Sequence, residues 1–347
     1  MEGLPATLSI EELIGMSNHE SGFAVSVAMT TYNGEQFVRE QLESIIKQTH
    51  QPLELVLCDD GSTDRTCEIA FSYLDRARFP IRVYRGSVNQ GSTKTFERAI
   101  KLCKGDVIAL ADQDDVWRPH KLQEISKVFL NNHGCVGAFS DAFLVDGEGA
   151  YLGKSLWESV GLSGRIRRRL ENGGLPAFRT LLKRNCVTGT TFAFRSRFRD
   201  SFLPIPESWV HDAWIALHLS LVGGICPLPD KLVAYRQHPS NQIGVRKRML
   251  RDRIANRVAL HGAKVQMEDM EKLWARRGAG SQVRPEYLRE IQAKIAHLET
   301  RLGAVDHLYP LLRELFHGRY TRYSNGMPSF LKDLHQRTKR DSARLTG

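Results

Sequence analysis

Asp106-Val-Ile-Ala-Leu-Ala-Asp-Gln-Asp-Asp-Val-Trp117 runs through a short apolar stretch into three carboxylates packed within four positions. The apolar part predicts a buried strand over Asp106–Leu110, ending in a polar loop. Carboxylates this close repel one another, so a strand end collects them only where something neutralises them. A divalent cation does so, because Mn²⁺ and Mg²⁺ favour oxygen ligands and keep places for water or phosphate. Asp112 and Asp114 lie two apart, and in an extended segment both side chains point the same way. Alone, the triplet also reads as a solvated turn before the helix that follows Pro119.

The stretches upstream repeat the arrangement. Phe23–Thr30 is a β-rich run that ends at Thr31-Tyr32-Asn33-Gly34, and Phe37, Val38, Leu42, Ile45 and Ile46 then recur at helical spacing. Leu53–Cys58 predicts a second strand ending at Asp59-Asp60-Gly61-Ser62, after which Asp64 is placed to cap a helix carrying Cys67, Ile69, Ala70 and Leu74. Ile81–Tyr84 predicts a third strand, and Thr93–Cys103 a helix after the turn Asn89-Gln90-Gly91-Ser92. Strands alternating with helices predict an α/β chain: a mixed, mainly parallel sheet flanked by helices on both faces. Ligands of such sheets bind outside the carboxyl ends of the strands, where all three polar clusters fall. Asp-Gly-Ser is ordinary turn chemistry and Tyr32 could fill a core, but three such clusters on one sheet edge point to a site.

From about 135 to 245 the alternation loosens. Residues 161–185, with Arg165-Ile-Arg-Arg-Arg169, read as a loop or an acceptor-side insertion. A strand over Thr191–Arg195, a helix over Trp209–Gly224 and a short strand over Leu232–Arg236 follow. Beyond 246 the chain reads as a helical extension, with an apolar seam of Leu288, Ile291, Ile295, Leu298, Leu302 and Val305 and a break at Gly278-Ala-Gly280 that suggests a helical hairpin. The reading divides the chain into a lead-in (1–22), a catalytic region (23–245) and a basic helical region (246–347).

Charge follows the same division. Of 49 Lys and Arg and 39 Asp and Glu, residues 246–347 hold 22 and 11, a net +11; the rest hold 27 and 28, a net −1. Such a region suits an anionic membrane surface or a phosphate-bearing acceptor, or is a solvated helical face. It lacks the interleaved aromatics and the zinc or recognition-helix signatures of a nucleic-acid binder, so no nucleic-acid partner is expected. No window approaches the roughly 20 apolar residues of a membrane span. The N-terminus shows no basic region followed by an apolar run, and six scattered cysteines form no CxxC pair. These features suggest reduced thiols and a cytoplasmic location, with peripheral binding at the inner face of the plasma membrane open.

Thr30-Thr31-Tyr32-Asn33-Gly34, Asp59-Asp60-Gly61-Ser62, Asn89-Gln90-Gly91 and Asp112-Gln113-Asp114-Asp115-Val116-Trp117 together resemble the consecutive motifs of family 2 glycosyltransferases, inverting enzymes with the GT-A fold. With His211-Asp212 and Tyr235-Arg236-Gln237-His238 downstream, the set is similar to bacterial rhamnosyltransferase-like members. The resemblance covers roughly residues 23–245. It implies that Thr30, Tyr32 and Asp60 hold the nucleoside, that Asn89 and Gly91 lie near the nucleotide, and that Asp112 and Asp114 serve the sugar, the diphosphate and a Mn²⁺ or Mg²⁺ ion. It further implies that Asp212 is the base and that His238 closes over the diphosphate. Many relatives have Glu-Asp where this chain has His211-Asp212, so the aspartate is kept and the preceding carboxylate is not. The implied reaction transfers a sugar, rhamnose from dTDP-rhamnose or another sugar from a UDP or GDP carrier, to a hydroxyl of a saccharide or lipid-linked acceptor in cell-surface polysaccharide synthesis.

Residue chemistry agrees. A carboxylate opposite the leaving diphosphate can take the acceptor's proton as its oxygen bonds to an oxocarbenium-like carbon, and a helix N-terminus favours the charged form of Asp212. Trp117 is expected to anchor the acidic loop in the core, while Trp209, Lys94 and Arg236 could face either the site or its surroundings. A sugar-1-phosphate nucleotidyltransferase would want a Gly-rich N-terminal loop with Arg and Lys, which Phe23–Asn33 does not offer.

Overall fold

The computed structural model describes residues 23–238, 253–276, 284–303 and 308–345. The run after Phe23 becomes β1 (Val25–Thr31), buried along its whole length. It pairs in parallel with β2 (Glu54–Asp59) and β4 (Val107–Ala111), and β2 pairs in parallel with β3 (Ile81–Arg85). Helices α1 (Val38–Ile46), α2 (Thr66–Phe71) and α3 (Ser92–Leu102) make the crossovers. Val38, Leu42 and Ile45 lie three and four apart, so one face of α1 is buried on the sheet, at roughly 1.5–3 kcal/mol per large side chain. Register aligns Thr31 with Asp59 and Met29 with Ala111, which brings the three polar clusters to one edge.

The chain continues through β5 (Val116–Trp117), α4 (Lys121–Asn131), β6 (Cys135–Val145), β7 (Tyr151–Ser155), α5 (Leu156–Val160), α6 (Gly164–Asn172), α7 (Gly174–Lys183), β8 (Phe192–Arg195), α8 (Arg199–Phe202), α9 (His211–Leu219) and β9 (Gly224–Arg236). The described residues form one nine-stranded sheet in the order β3-β2-β1-β4-β8-β6-β9-β5, with β7 beside β6. β8 runs antiparallel to β4 and β6, while β6 and β9 are parallel. The expected mixed sheet flanked by helices is present, parallel throughout its N-terminal half.

Three expectations change. Residues 161–185 are not a loop: α6 and α7 fill them, joined at Gly173, whose φ is +66° and whose added Cβ would lie 2.6 Å from the Gly223 carbonyl oxygen. Only glycine fits there. The helix expected over Trp209–Gly224 is shorter, because Pro206 and the Ser208–Val210 segment form its approach. The strand expected near Leu232 is the end of 13-residue β9. The 1–22 lead-in, the 245/246 boundary, the Gly278–Gly280 break and Val305 lie outside the described residues.

C-terminal helices α10 (Arg253–Arg276), α11 (Pro285–Gly303), α12 (Leu308–Phe316), α13 (Arg319–Tyr323) and α14 (Met327–Leu345) follow. Their Met267, Met270, Trp274, Ile291 and Leu298 share one apolar core with the sheet. Several of their cations are held internally, as in Arg301–Asp333 (2.7 Å) and Arg319–Glu314 (2.8 Å). The extension is therefore more than a charged appendage. Helix α10 also grips the segment before α9: Trp209 Nε1 donates to the Gln266 carbonyl (2.9 Å), Gln266 Nε2 to the Ser208 carbonyl (2.7 Å) and Ser208 Oγ to Asp269 (2.6 Å). Within α9, His218 receives the indole N–H of Trp274 at 3.0 Å. All six cysteines are unpaired and buried, and among the described residues no helix is long and apolar enough to cross a membrane.

Candidate active site

A cavity of about 820 Å³ opens at the carboxyl edge of the sheet. Thr30, Tyr32, Asp60 and Asn89 line one part of it, and Asp112, Asp114, Asp212 and His238 another. Of the nine residues to which the resemblance assigns a role, Gly91 alone is off the wall, and its amide acts behind it. Gly91 N–H donates to Asp60 Oδ2 (2.9 Å) and Gln90 N–H to Asp60 Oδ1 (2.8 Å), which fixes the carboxylate while leaving lone pairs for a ligand. Asp59, beneath it, accepts from Thr31 Oγ1 (2.8 Å) and Ser62 N–H (2.8 Å) and so pins β1 to the turn after β2.

Tyr32 is 44% exposed, its ring free to meet a flat ligand. Gln113 positions it by a reciprocal pair: Tyr32 N–H donates to Gln113 Oε1 (2.8 Å) and Gln113 Nε2 to the Tyr32 carbonyl (3.0 Å). The middle residue of the acidic triplet is thus a clasp between two strand ends. Gly34 leaves room for the Gln113 amide, since an added Cβ would lie 2.2 Å from Gln113 Oε1 and the amide would have to move.

The acidic loop is a turn and not an extended segment, so the expected alternation is not what brings Asp112 and Asp114 to one wall. Buried contacts do that. Asp115 is fully buried and accepts the Arg236 backbone N–H at 2.9 Å. The Arg236 guanidinium donates to the Asp114 carbonyl (2.8 Å), the Gly147 carbonyl (2.8 Å) and Glu40 (2.6 Å), so Arg236 clamps the loop from behind. Trp117 is buried as expected, and Lys121 lies over its ring at 3.2 Å while donating to the Thr190 carbonyl. Burial pulls the Lys121 ammonium well below its usual value, against the opposing pull of Asp115 and Asp112. Trp209 and Lys94 turn away from the cavity; Lys94 donates to the Ile205 carbonyl at 3.0 Å.

Burial, then the charges of Asp114 and Asp212, pushes the Asp112 carboxyl up to about 8. His238 Nε2 lies 2.8 Å from Asp114 Oδ2, with its ring against Phe37. Carboxylate oxygens with an imidazole are a donor set that Mn²⁺ and Mg²⁺ accept, and their crowding favours a cation. Among the described residues no three His, Cys, Asp and Glu side chains are placed to hold an ion unaided. Such a site would take its remaining ligands from substrate and water.

Across the cavity, Asp212 stands in the first turn of α9. Asn185 Nδ2 donates to its Oδ1 (3.0 Å) and Gly189 N–H to its Oδ2 (2.9 Å), and the Ala213 amide is a third donor. Burial nonetheless pushes the carboxyl up, from 3.8 to about 6, with those three hydrogen bonds limiting the rise. Desolvation outweighs the helix N-terminus, contrary to the sequence expectation of a favoured charge. The Asn185–Gly189 loop was missed in the sequence, having no motif of its own.

Residues 26–199, half of the chain, match the family model for glycosyl transferase family 2. The chain belongs to that family. Among curated family relatives, an uncharacterized glycosyltransferase of Nostoc sp. is 28% identical over 222 residues, 62% of this chain and 66% of that protein. The dTDP-rhamnosyl transferase RfbG of Shigella flexneri is 28% identical over 225 residues, 62% of this chain and 73% of that protein. The match covers 66%, 50% and 43% of the first three curated relatives, so the chain spans about half of their length. Of solved structures, Staphylococcus aureus TarS 1–349 with UDP-GlcNAc aligns at a TM-score of 0.52 and 19% identity over 93% of this chain and 92% of that one. The mannosyltransferase PcManGT of Pyrobaculum calidifontis, with GDP-Man and Mn²⁺, aligns at 0.52 and 13% over 92% and 88%. At such identities the likeness shows the fold, here that of the GT-A glycosyltransferases.

Proposed function

We propose that this family 2 protein is an inverting, metal-dependent glycosyltransferase that moves a sugar from a nucleoside diphosphate to an acceptor hydroxyl. The observation that carries the reading is Asp212, a buried carboxylate held by three hydrogen bonds and titrating near 6, on the same cavity wall system as Asp112 and Asp114. In this reading Tyr32 stacks on the nucleobase, and Thr30, Asp60 and Asn89 hold the nucleoside, with Gly91 keeping Asp60 in place. Asp112 and Asp114 would hold a Mn²⁺ or Mg²⁺ ion together with ligands from substrate and water, which would neutralise the charge on the departing diphosphate, and His238 would close over that diphosphate.

Asp212 accepts the proton of the acceptor hydroxyl as its oxygen bonds to the anomeric carbon on the face opposite the diphosphate. The carbon–oxygen bond to the diphosphate breaks with its electron pair, and the anomeric centre inverts. A base titrating near 6 is ionised at neutral pH yet basic enough to take a proton that acidifies in the transition state. The cavity volume is in the range of small-ligand sites.

Rhamnose from dTDP-rhamnose is the favoured donor, supported by the ordered motifs and by the Shigella relative's own name. The acceptor is a saccharide, free or lipid-linked, in surface polysaccharide (O-antigen-like) synthesis, and the +11 of residues 246–347 suits anionic lipid at the inner membrane face. The test is Asp212→Asn with dTDP-rhamnose and Mn²⁺: transfer falls about 10²–10⁴-fold while the donor still raises Tm. Full transfer by the variant would remove the base assignment.

A further inference from the structure

The arginine run Arg165–Arg169 has no part in the site described so far. Residues 161–184 contain α6 and α7, a hairpin that leaves the cavity at Val160 and returns to it at Asn185. It carries seven Lys and Arg against one acid, Glu171, a net +6, while the rest of residues 1–245 is net −7. Among the described residues one of the seven, Arg179, has a carboxylate partner, Glu290 at 2.8 Å. Arg165, Arg168 and Arg169 are exposed, lie three and four apart on one face of α6, and have no hydrogen-bond or ion-pair partner among the described residues. Their own helix does not account for them. Arg165 stands in its first turn, where the dipole disfavours a cation and no acid offsets it, and like charges at this spacing repel.

The place of the cluster says what it meets. Leu156 and Val160 of α5 line the cavity, and so does Asn185, the exposed residue that holds Asp212. Arg184 joins the two at the rim: its Nη1 donates to the Val160 carbonyl (3.1 Å) and its Nη2 to the Gly161 carbonyl (2.8 Å). Those bonds close the end of α5 and leave three of the five guanidinium N–H donors unused. Arg167 lies 5.1 Å over the ring of Trp157, one turn earlier on α5. Burial, then the charges of Arg184 and Arg169, pulls the neighbouring Lys183 ammonium below its ordinary value. Cations crowded on one rim are relieved by an anion with several oxygens, and phosphate is the anion that guanidinium forks fit. The donor's diphosphate is not that anion, because the proposed function places it on the Asp112–Asp114 wall. We propose that the rim formed by Arg165, Arg168, Arg169 and Arg184 is a phosphate subsite for the acceptor, so that the acceptor class is a phosphate-linked saccharide whose sugar reaches Asp212 while its phosphate stays beside the α5–α6 turn. The inference rests on the reading of Asp212 as base, which puts the acceptor on this side of the cavity.

The full-length protein with dTDP-rhamnose and Mn²⁺ is assayed against hexoses and N-acetylhexosamines supplied in pairs, each as the methyl glycoside and as the glycosyl 1-phosphate. Within a pair the phosphate is expected to show a KM about 10–100-fold lower, the effect of a charge-assisted hydrogen bond or two, and added salt narrows the gap. Arg165→Gln/Arg169→Gln changes two exposed side chains. It is expected to raise the KM of the phosphate about 10-fold, towards that of its methyl glycoside, while the Tm shift given by the donor stays as in the native protein. Arg165→Lys/Arg169→Lys recovers part of the gap, because an ammonium also meets phosphate. Equal KM values within the native pairs overturn the inference, as does a gap that survives in the Gln variant. A surviving gap with lost binding to phosphatidylglycerol vesicles would make the cluster a lipid-docking face instead. Each of these results leaves the proposed function standing. Failure of the native protein to transfer to any panel member or to hydrolyse the donor overturns both.

Discussion

The rise of Asp212 to about 6 has a kinetic signature that can be worked out in advance. The group is an acid whose folded-state value lies above its ordinary 3.8, so the ionised base is lost as pH falls through about 6. Roughly nine molecules in ten carry it at pH 7 and about one in ten at pH 5, a loss of close to 10-fold in kcat/KM. Asn185 sharpens the prediction, because its amide donates to the charged carboxylate at 3.0 Å. A hydrogen bond to a charged group contributes about 1.5–3 kcal/mol and one pKa unit is 1.36 kcal/mol. Water entering the cavity replaces part of the bond, so Asn185→Ala moves the acid limb up by about one unit, from about 6 to about 7. The assay is kcat/KM for sugar transfer from pH 5 to 9 at saturating Mn²⁺, with donor binding measured at each pH. At pH 9 the variant recovers the native rate, which a misfolded protein would not do. A limb at the same pH in both proteins, or a native profile flat from pH 5 to 8, refutes the reasoning.

Asp114→Asn is expected to abolish the Mn²⁺-dependent part of the donor Tm shift, and an undiminished shift would exclude Asp114 as a ligand. Gly34→Ala drives a methyl group into Gln113; it should cost about 1–3 kcal/mol in urea unfolding and weaken donor binding, because the Tyr32–Gln113 clasp must open. Trp274→Ala removes a buried indole and its bond to His218, an expected loss of about 3–5 kcal/mol by denaturant titration despite its distance from the cavity.

What could be read in the sequence follows from how each element is buried. β1, β2 and β4 are covered on both faces, so they appear as short apolar runs, and each ends at a polar cluster that the parallel register carries to the same edge. β6 hides because Ser140 and Asp141 interrupt it. Both are buried at a shift of register, where Asp141 accepts the Trp157 N–H at the start of α5 (2.9 Å). β9 hides because Pro227, Pro229 and Asp230 look like a turn, and only its last five residues carry strand chemistry. In the site, Asp212 and the acidic triplet stood out through their neighbours in an ordered series. Arg236 was ambiguous, since nothing local distinguishes a guanidinium that meets phosphate from one that clamps a loop. Gln113, Asn185 and Gly189 act through partners 23 to 81 residues away or through lacking a side chain, which no local spacing reveals.

The grip of α10 on the Ser208–Val210 segment makes the end of the chain and the candidate base one mechanical piece. Exchanging the C-terminal segment for that of a relative would cut the Gln266–Ser208 and Trp274–His218 bonds and set α9 adrift. A working chimaera has to carry residues 205–220 together with the helices that hold them, so the candidate base and the C-terminal layer have to be moved as a unit.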